Sequence, residues 1–420
     1  MRGVTWSGLG NLDKQGIYKT LSTHFESLPE IDEEEVNSLE DLTPAVELYN
    51  TLIGLGRYDD AAELYNDRLA DAMLYNLGSF RQCAEILEML FPDGLDQLPR
   101  LSNLGAQSVV VNDLAISINN QPSHAAELYR RAIDLKENED DQKGVNRTLG
   151  NLSVVLRYTG ALRESEAAAL LALRIAQHLN DQDEESANLY FLGIALAVRG
   201  EKVDSAKALS RSLELAIQGN VYIPYDYQVM RAVWFGEYAE AQALVVKALT
   251  FSQKLHQESA VIRAARLQGE AALGLSDLTI ADERLHYALA RARTVNLVEE
   301  ELPALIGLAE LRRRQGDLKV ARELLDDLWE PADRGPFKLF HADAFNVLAQ
   351  IERDAGNIEE ATKAAMEAYR LAWCNGPPFA YHWGLQKARA HLAAFGVPEP
   401  ILPPFDESKY EPMPEVEIEP

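Results

Sequence analysis

Small and apolar residues recur along this chain at helical spacing inside a longer, nearly constant step. The small residues Ala125, Ser165, Ser205, Ala241, Ala281, Ala321 and Ala361 stand 40 residues apart, except for one step of 36 between Ser205 and Ala241. Four positions after them come Tyr129, Ala169, Leu209, Val245, Leu285, Leu325 and Ala365, and seven after come Ala132, Ala172, Ser212, Ala248, Ala288, Leu328 and Ala368. Positions 0, 4 and 7 share one face of a helix, and a small residue at position 0 lets a second helix cross closely there. Five residues upstream lie Asn120, Gly160, Gly200, Gly236, Ser276, Gly316 and Gly356, residue types suited to a tight turn between two helices. This self-similarity predicts an all-α solenoid of helical hairpins, a surface for holding something rather than a pocket for chemistry.

The pattern divides the chain. Residues 1–41 hold a short amphipathic segment around Ile17 to Leu28 and an acidic run from Glu30 to Glu35, which reads as a linker or a solvated loop. Residues 42–103 form an irregular cap, with Gly56, Tyr58, Ala61 and Tyr65 repeated after a short step as Gly78, Phe80, Cys83 and Leu87, and FPDGLDQLPR as a break. Residues 104–396 are the regular array. The shortened period falls at GNVYIPYDYQ, where a bend or register change is expected. Residues 397–420 are too rich in Pro and Glu to bury a core, and are expected to be extended, either disordered or laid along the last helices through Ile401, Leu402, Phe405 and Tyr410. The alternation in EVEIE fits a strand added to a partner's sheet, and its charge fits a solubilising terminus equally well.

Composition narrows the classes. The 40 basic and 66 acidic side chains leave a net charge of −26, which argues against non-specific binding to nucleic acid or to an anionic membrane. Two cysteines, Cys83 and Cys374, give neither a disulfide framework nor a cysteine zinc site, and fit a reducing cytoplasm. The first residues lack the apolar core of a signal peptide, and no apolar run is long enough for a membrane span.

The segments GRYDDAAELY, RYTGALRESEAAALLAL, FGEYAEAQALVVKAL, QGDLKVARELLDDL and AGNIEEATKAAMEAY resemble tetratricopeptide repeats. The pairs Leu152–Ser153, Leu192–Gly193, Leu308–Ala309 and Leu348–Ala349 occupy that family's first-helix positions, while its usual Trp and Tyr and its repeat-end Pro are mostly missing. The order of the whole array, from SLEDLTPAVELYNTLIGLGRYDDAAELYNDRL to CNGPPFAYHWGLQKARAHL, is similar to the C-terminal sensor arrays of bacterial NACHT or NB-ARC type (STAND) signalling NTPases. The resemblance implies a right-handed superhelix that senses a trigger by binding it, with an NTPase or effector as partner. This chain has no phosphate-binding loop of the GxxxxGK[ST] kind, so it would be the sensor without the motor.

In that family the first helix of each hairpin lines a concave groove. Counting back from the small residues, the resemblance places Arg147, Arg157, Tyr158, Tyr190, Asp226, Met230, Trp234, Arg263, Arg266, Glu270, Arg313, Arg314, Asn346 and Arg353 in the groove. Seven arginines on one face of an acidic protein suit an acidic protein or peptide, because guanidinium binds carboxylate in a bidentate fork. They suit ion pairs with neighbouring helices too. A small anionic ligand held near Arg263 and Arg266 is the alternative. The aromatics Tyr222, Tyr225, Tyr227, Trp234, Phe235 and Tyr238 around the short period read either as interface anchors or as packing that fills an irregular repeat.

Catalytic patterns are weak. Cys374 lies near Asn375, His382 and His391, but sequence proximity does not supply the geometry an activated thiolate needs. The eight histidines form no HExxH, and Gly8 with Gly10 is followed by Asp13 and no preceding strand, so neither a metal, a dinucleotide nor any other cofactor is expected. The expectation is a non-enzymatic binding scaffold or sensor.

Overall fold

The computed structural model describes residues 11–29, 31, 36–219, 225–254, 257–416 and 418. Gly8, Gly10, the acidic run apart from Ile31, and half of the short-period segment, Tyr222 included, lie outside the described residues.

The described residues fold as helices joined by short turns, without a strand. A first group comprises α1 (Asn11–Glu26), α2 (Thr43–Gly54), α3 (Tyr58–Arg68), a π-helical turn (Ala72–Asn76) and α4 (Phe80–Glu88). Hairpins follow: α5 (Leu104–Ser117) with α6 (Pro122–Glu137), α7 (Gln142–Thr159) with α8 (Leu162–Leu179), α9 (Gln182–Val198) with α10 (Lys202–Gly219), and α11 (Tyr225–Trp234) with α12 (Tyr238–Lys254). Then come α13 (Glu258–Gly274) with α14 (Leu278–Val295), α15 (Val298–Arg314) with α16 (Leu318–Arg334), α17 (Lys338–Asp354) with α18 (Ile358–Trp373), and α19 (His382–Ala394). Local chemistry sets several starts. The carboxylates of Asp141, Asp181, Asp277 and Asp317 accept from the backbone N–H three residues on, satisfying one of the free donors of α7, α9, α14 and α16.

The repeat positions form the core. Ala125, Ser165, Ser205, Ala241, Ala281, Ala321 and Ala361 are buried without exception, as are the residues four and seven positions beyond them. Small residues in the first helices meet large ones in the second: an added Cβ at Gly193 would stand 2.7 Å from Leu209, and one at Gly269 would stand 2.6 Å from Leu285. These close crossings leave no room for a methyl group.

The curvature closes on itself. Helices α7, α9, α11, α13, α15 and α17 each pack on the next, and α17 packs back on α7, so six first helices form a ring. Tyr158 of α7 meets Phe337 and Phe340 at centroid distances of 5.5 Å. Beyond this seam the second turn of the superhelix sits directly on the first. Gly160, at φ 79°, has Lys338 and Cys374 over it, and Gly200, at φ 84°, has the ring of His382. Neither the conformation nor the contact admits a side chain easily. Trp383 Nε1 donates to the carbonyl of Ala197 at 2.9 Å, and its ring stands edge-on to Phe235. At the other end the π-helical turn packs on α13, and Phe80 joins the cluster of Ile262, Ala265 and Leu297.

The described residues of 397–418 are extended apart from one 3-10 turn (Glu407–Lys409), and they are laid on the protein. Leu402, Phe405 and Met413 pack against the core of α17–α19, whereas Ile401 is fully exposed, contrary to its expected packing role. The alternation around EVEIE forms no strand among the described residues; Val416 and Ile418 both pack on the apolar cluster of α8, α9 and α10.

Candidate functional site

The inner face of the ring carries much of the chemistry predicted for the groove. Helix α13 contributes two arginines, and α15 contributes the carboxylate that links them. Arg263 donates from Nε to Glu300 Oε1 and from Nη1 to Asp226 Oδ2, both at 2.8 Å. Arg266 donates to the other oxygen of Glu300 and, at 2.6 Å, to Glu270. One buried carboxylate is thus shared between two guanidinium groups. Burial opposes the charge on Arg263, but the phenol of Tyr227 and the carboxylates of Glu300 and Asp226 outweigh it and hold its pKa above the ordinary value. Burial also pushes the Glu270 carboxyl up, against the pull of Arg266.

Aromatic rings extend this face. Tyr190 of α9 stacks on Tyr227 of α11 at 4.6 Å and 18°, and the guanidinium of Arg263 lies 5.4 Å from the Tyr227 centroid. Burial lifts the Tyr227 phenol to about 12, and it lifts the phenols of Tyr190 and Tyr158 as well. Next to them, on α15, Glu299 has its carboxyl pushed up to about 7 by burial, with the neighbouring Glu300 charge adding to the effect.

The remaining predicted residues fall into distinct places. Arg147 is exposed and paired with Glu184. Arg313 pairs with Glu310 and Asp354, Arg314 with Glu310, and Arg353, also exposed, with Asp354. Met230 is buried in the α11–α13 cluster, and Trp234 is half-buried between that cluster and the core of α17–α19. Asn346 is buried, its Nδ2 donating to the carbonyls of Ala342 and Gly384. Six of the seven arginines therefore already hold a carboxylate of this chain.

Arg157 differs. It is buried, with 6% of its surface exposed, yet it has neither a hydrogen bond from its guanidinium nor an ion pair among the described residues. Its guanidinium lies 4.6 Å from the ring centroid of Tyr158, and its charge acts on the phenols of Tyr158 and Tyr227. Its guanidinium nitrogens are not sealed from solvent, so they remain open to an acidic group supplied from outside.

Sequence reasoning missed Tyr227, Glu299 and Glu300 as members of this face. A signal existed, because Asp226 and Glu300 each lie 37 residues from Arg263, nearly one repeat on either side. Residues one period apart meet on adjacent helices, so opposite charges at that separation predict a pair.

Other features offer less. A cleft of about 510 Å³ on α17 and α18 is lined by Phe345, Leu348, Glu360, Lys363, Met366 and Arg370, but Lys363 and Arg370 are already paired with Glu360 and Glu367. Burial pushes the thiols of Cys83 and Cys374 up to about 11, the opposite of nucleophile activation. No group of His, Cys, Asp and Glu that could hold a metal occurs among the described residues, and no described helix is long and apolar enough to cross a membrane.

No family model and no curated protein matches the sequence. Solved structures do. A Rap protein complexed with competence and sporulation factor is similar over 86% of this chain and 97% of its own, at 13% identity and a TM-score of 0.52. Yeast Tom70 is similar over 91% and 92%, at 15% identity and a TM-score of 0.41. A STAND protein with a tetratricopeptide repeat sensor from Pyrococcus horikoshii is similar over 93% and 66%, at 13% identity and a TM-score of 0.42. Hairpins stacked at a 40-residue period around a ring of first helices, in a chain that superposes along nearly its whole length, give this protein the fold of the tetratricopeptide-repeat solenoids.

Proposed function

We propose that this protein is a non-enzymatic scaffold or sensor that binds a protein or peptide segment on the inner face of its helix ring. The observation that carries the reading is Arg157, the one groove arginine that is buried and has no acidic partner among the described residues. An acidic side chain or a chain-terminal carboxylate of the partner is the complementary group. The stacked and partly exposed Tyr190 and Tyr227 supply an aromatic wall that binds without much loss of rotamer entropy. The Rap protein that is similar over 86% of this chain is complexed with competence and sporulation factor, which supports a ligand-holding use of this architecture.

The small-anion alternative assigned the ligand to Arg263 and Arg266. Both are saturated by Asp226, Glu300 and Glu270, so a small anion there would have to displace carboxylates of the chain. The trigger-sensing role, with an NTPase or effector reading the occupied state, is part of this proposal and rests on the array resemblance alone.

A photo-crosslinking residue placed at Tyr190 in the whole chain tests the binding face, with captured species identified by mass spectrometry from host extract. The same residue at the exposed Ile358 reports the outer face. We expect capture at position 190 that falls about tenfold or more in Arg157→Ala and recovers in Arg157→Lys, the size of a hot-spot truncation. Equal capture with and without Arg157, in variants of unchanged melting temperature, would sink the reading.

A further inference from the structure

The ring is closed by more than helix packing. After α19 the chain returns over the outside of the seam. Glu399 bonds Tyr369 and Arg389, and Trp373 Nε1 donates to the carbonyl of Pro403 at 2.8 Å. Phe405 packs on Phe379 and stacks on Tyr410, whose hydroxyl accepts from Asn375 Nδ2 at 2.9 Å. There the segment crosses from the second turn of the superhelix to the first. Arg163, in the first turn of α8, donates from Nη2 to the carbonyl of Glu411 at 2.6 Å, with its guanidinium 5.6 Å from the Tyr410 centroid and 5.8 Å from that of Phe379. The backbone N–H of Arg163 donates to Asn375 Oδ1. Val416 and Ile418 then reach the apolar cluster built on Ala169, Leu173, Leu192 and Leu215.

Two properties distinguish this segment from the helices beneath it. None of its described residues belongs to the fully buried core, whose last member is Leu392. Its backbone has no ladder, only a single 3-10 turn among the described residues. Its attachment therefore consists of separable side-chain contacts, and its release leaves every buried core position filled. Segments with those features open at low free energy while the body stays folded.

We propose that the described residues of 397–418 are a releasable strap: they occupy, in cis, a docking surface for an extended aromatic segment that is made by residues 373–379, Arg163 and the apolar cluster of α8, α9 and α10, and by spanning the two turns they hold the helix ring shut. The surface has the parts that peptide recognition uses. Phe379 receives the ring of Phe405, the Arg163 guanidinium faces that of Tyr410, Asn375 and Arg163 bond the hydroxyl and a main-chain carbonyl, and an apolar strip takes two alternate side chains. When the strap leaves, the seam at Tyr158, Gly160 and Arg163 loses its outer brace. The strap is defined without reference to what the inner face binds, so its test stands apart from that of the proposed function.

The experiment compares the whole chain with one ending after residue 396, and uses a fluorescent synthetic peptide of residues 397–420 as the probe. We expect the shortened chain to bind the peptide saturably and the whole chain not to bind it, its surface being occupied. Amide hydrogen exchange at residues 156–165 and 373–381 should speed about tenfold or more in the shortened chain and slow again when peptide is added. Arg163→Ala together with Tyr410→Ala in the whole chain provides the same readout if the shortened chain fails to fold, and should speed exchange at the same two segments only. Absence of peptide binding to a shortened chain that melts like the whole one would overturn the proposal, as would unchanged exchange at the seam in the double variant.

Discussion

The ring of Tyr158 stands edge-on to that of Phe337, 5.5 Å between centroids at 64°, although one residue lies in the last turn of α7 and the other precedes α17. This contact converts an open superhelix into a closed ring, because it joins the first of the six inner helices to the last. Tyr158 is almost fully buried there and lies against Phe340 as well. Replacing it by Ala removes a large buried side chain and should cost about 3–5 kcal/mol. Small-angle scattering should show a longer particle. An unchanged melting temperature and radius would mean that the ring does not depend on this seam.

Crowding at the helix crossings yields a second expectation. Ala281 and Ala321 are completely buried, facing the first helices of their hairpins. Ala281→Leu or Ala321→Leu should destabilise by about 1–3 kcal/mol, since a close-packed crossing must shift to admit the added carbons. Denaturant melts of both variants check this, with Val246→Leu, an exposed site on α12, as the neutral control.

Glu300 is the hinge of the inner ion network, with one oxygen on Arg263 and the other on Arg266. Glu300→Ala leaves two buried guanidinium groups short of a carboxylate and should cost about 3–5 kcal/mol. Arg353→Ala, at an exposed pair, should change stability by at most about 0.5 kcal/mol. Arg266→Glu is expected to lower the melting temperature sharply. From its sequence position alone Arg266 suits either a clamp on a partner, whose charge reversal would spare stability, or an ion pair with a neighbouring helix, and its burial between Glu300 and Glu270 fits the ion pair.

The raised Glu299 carboxyl predicts a pH dependence. Its ordinary value is 4.5 and burial lifts it to about 7, so the folded protein holds a proton that the unfolded chain has released between those values. Stability from this group is present below about pH 4.5 and is lost as pH rises toward 7. Glu299→Gln should therefore melt like the wild type at pH 5 and about 1–3 kcal/mol more stably at pH 8, the scale set by a shift of this size. Parallel pH profiles for the two proteins would show that the carboxyl titrates normally.

Much of the fold was legible in the sequence because a repeat protein reports its architecture locally. The small residues at 165, 205, 241, 281, 321 and 361 are small because a helix crosses there, and the turn residues before them, from Gly160 to Gly356, adopt positive φ because each hairpin must reverse within a few residues. Asn120 is the exception, for its turn has no left-handed residue at that position. Hairpin period, first-helix face and the aromatic and arginine content of that face all follow from such short-range spacing. What spacing does not fix is curvature accumulated over six hairpins. A small rotation per repeat, summed around the array, decides whether α17 reaches α7, and only the tertiary structure showed that it does. Curvature then placed Arg163 on residues 375 and 411, more than 200 positions away, and the tertiary structure left Arg157 in a buried position without an acid. The tail was readable as extended from its Pro and Glu content, but its path depended on a seam between distant turns, a surface that exists only after the ring has closed.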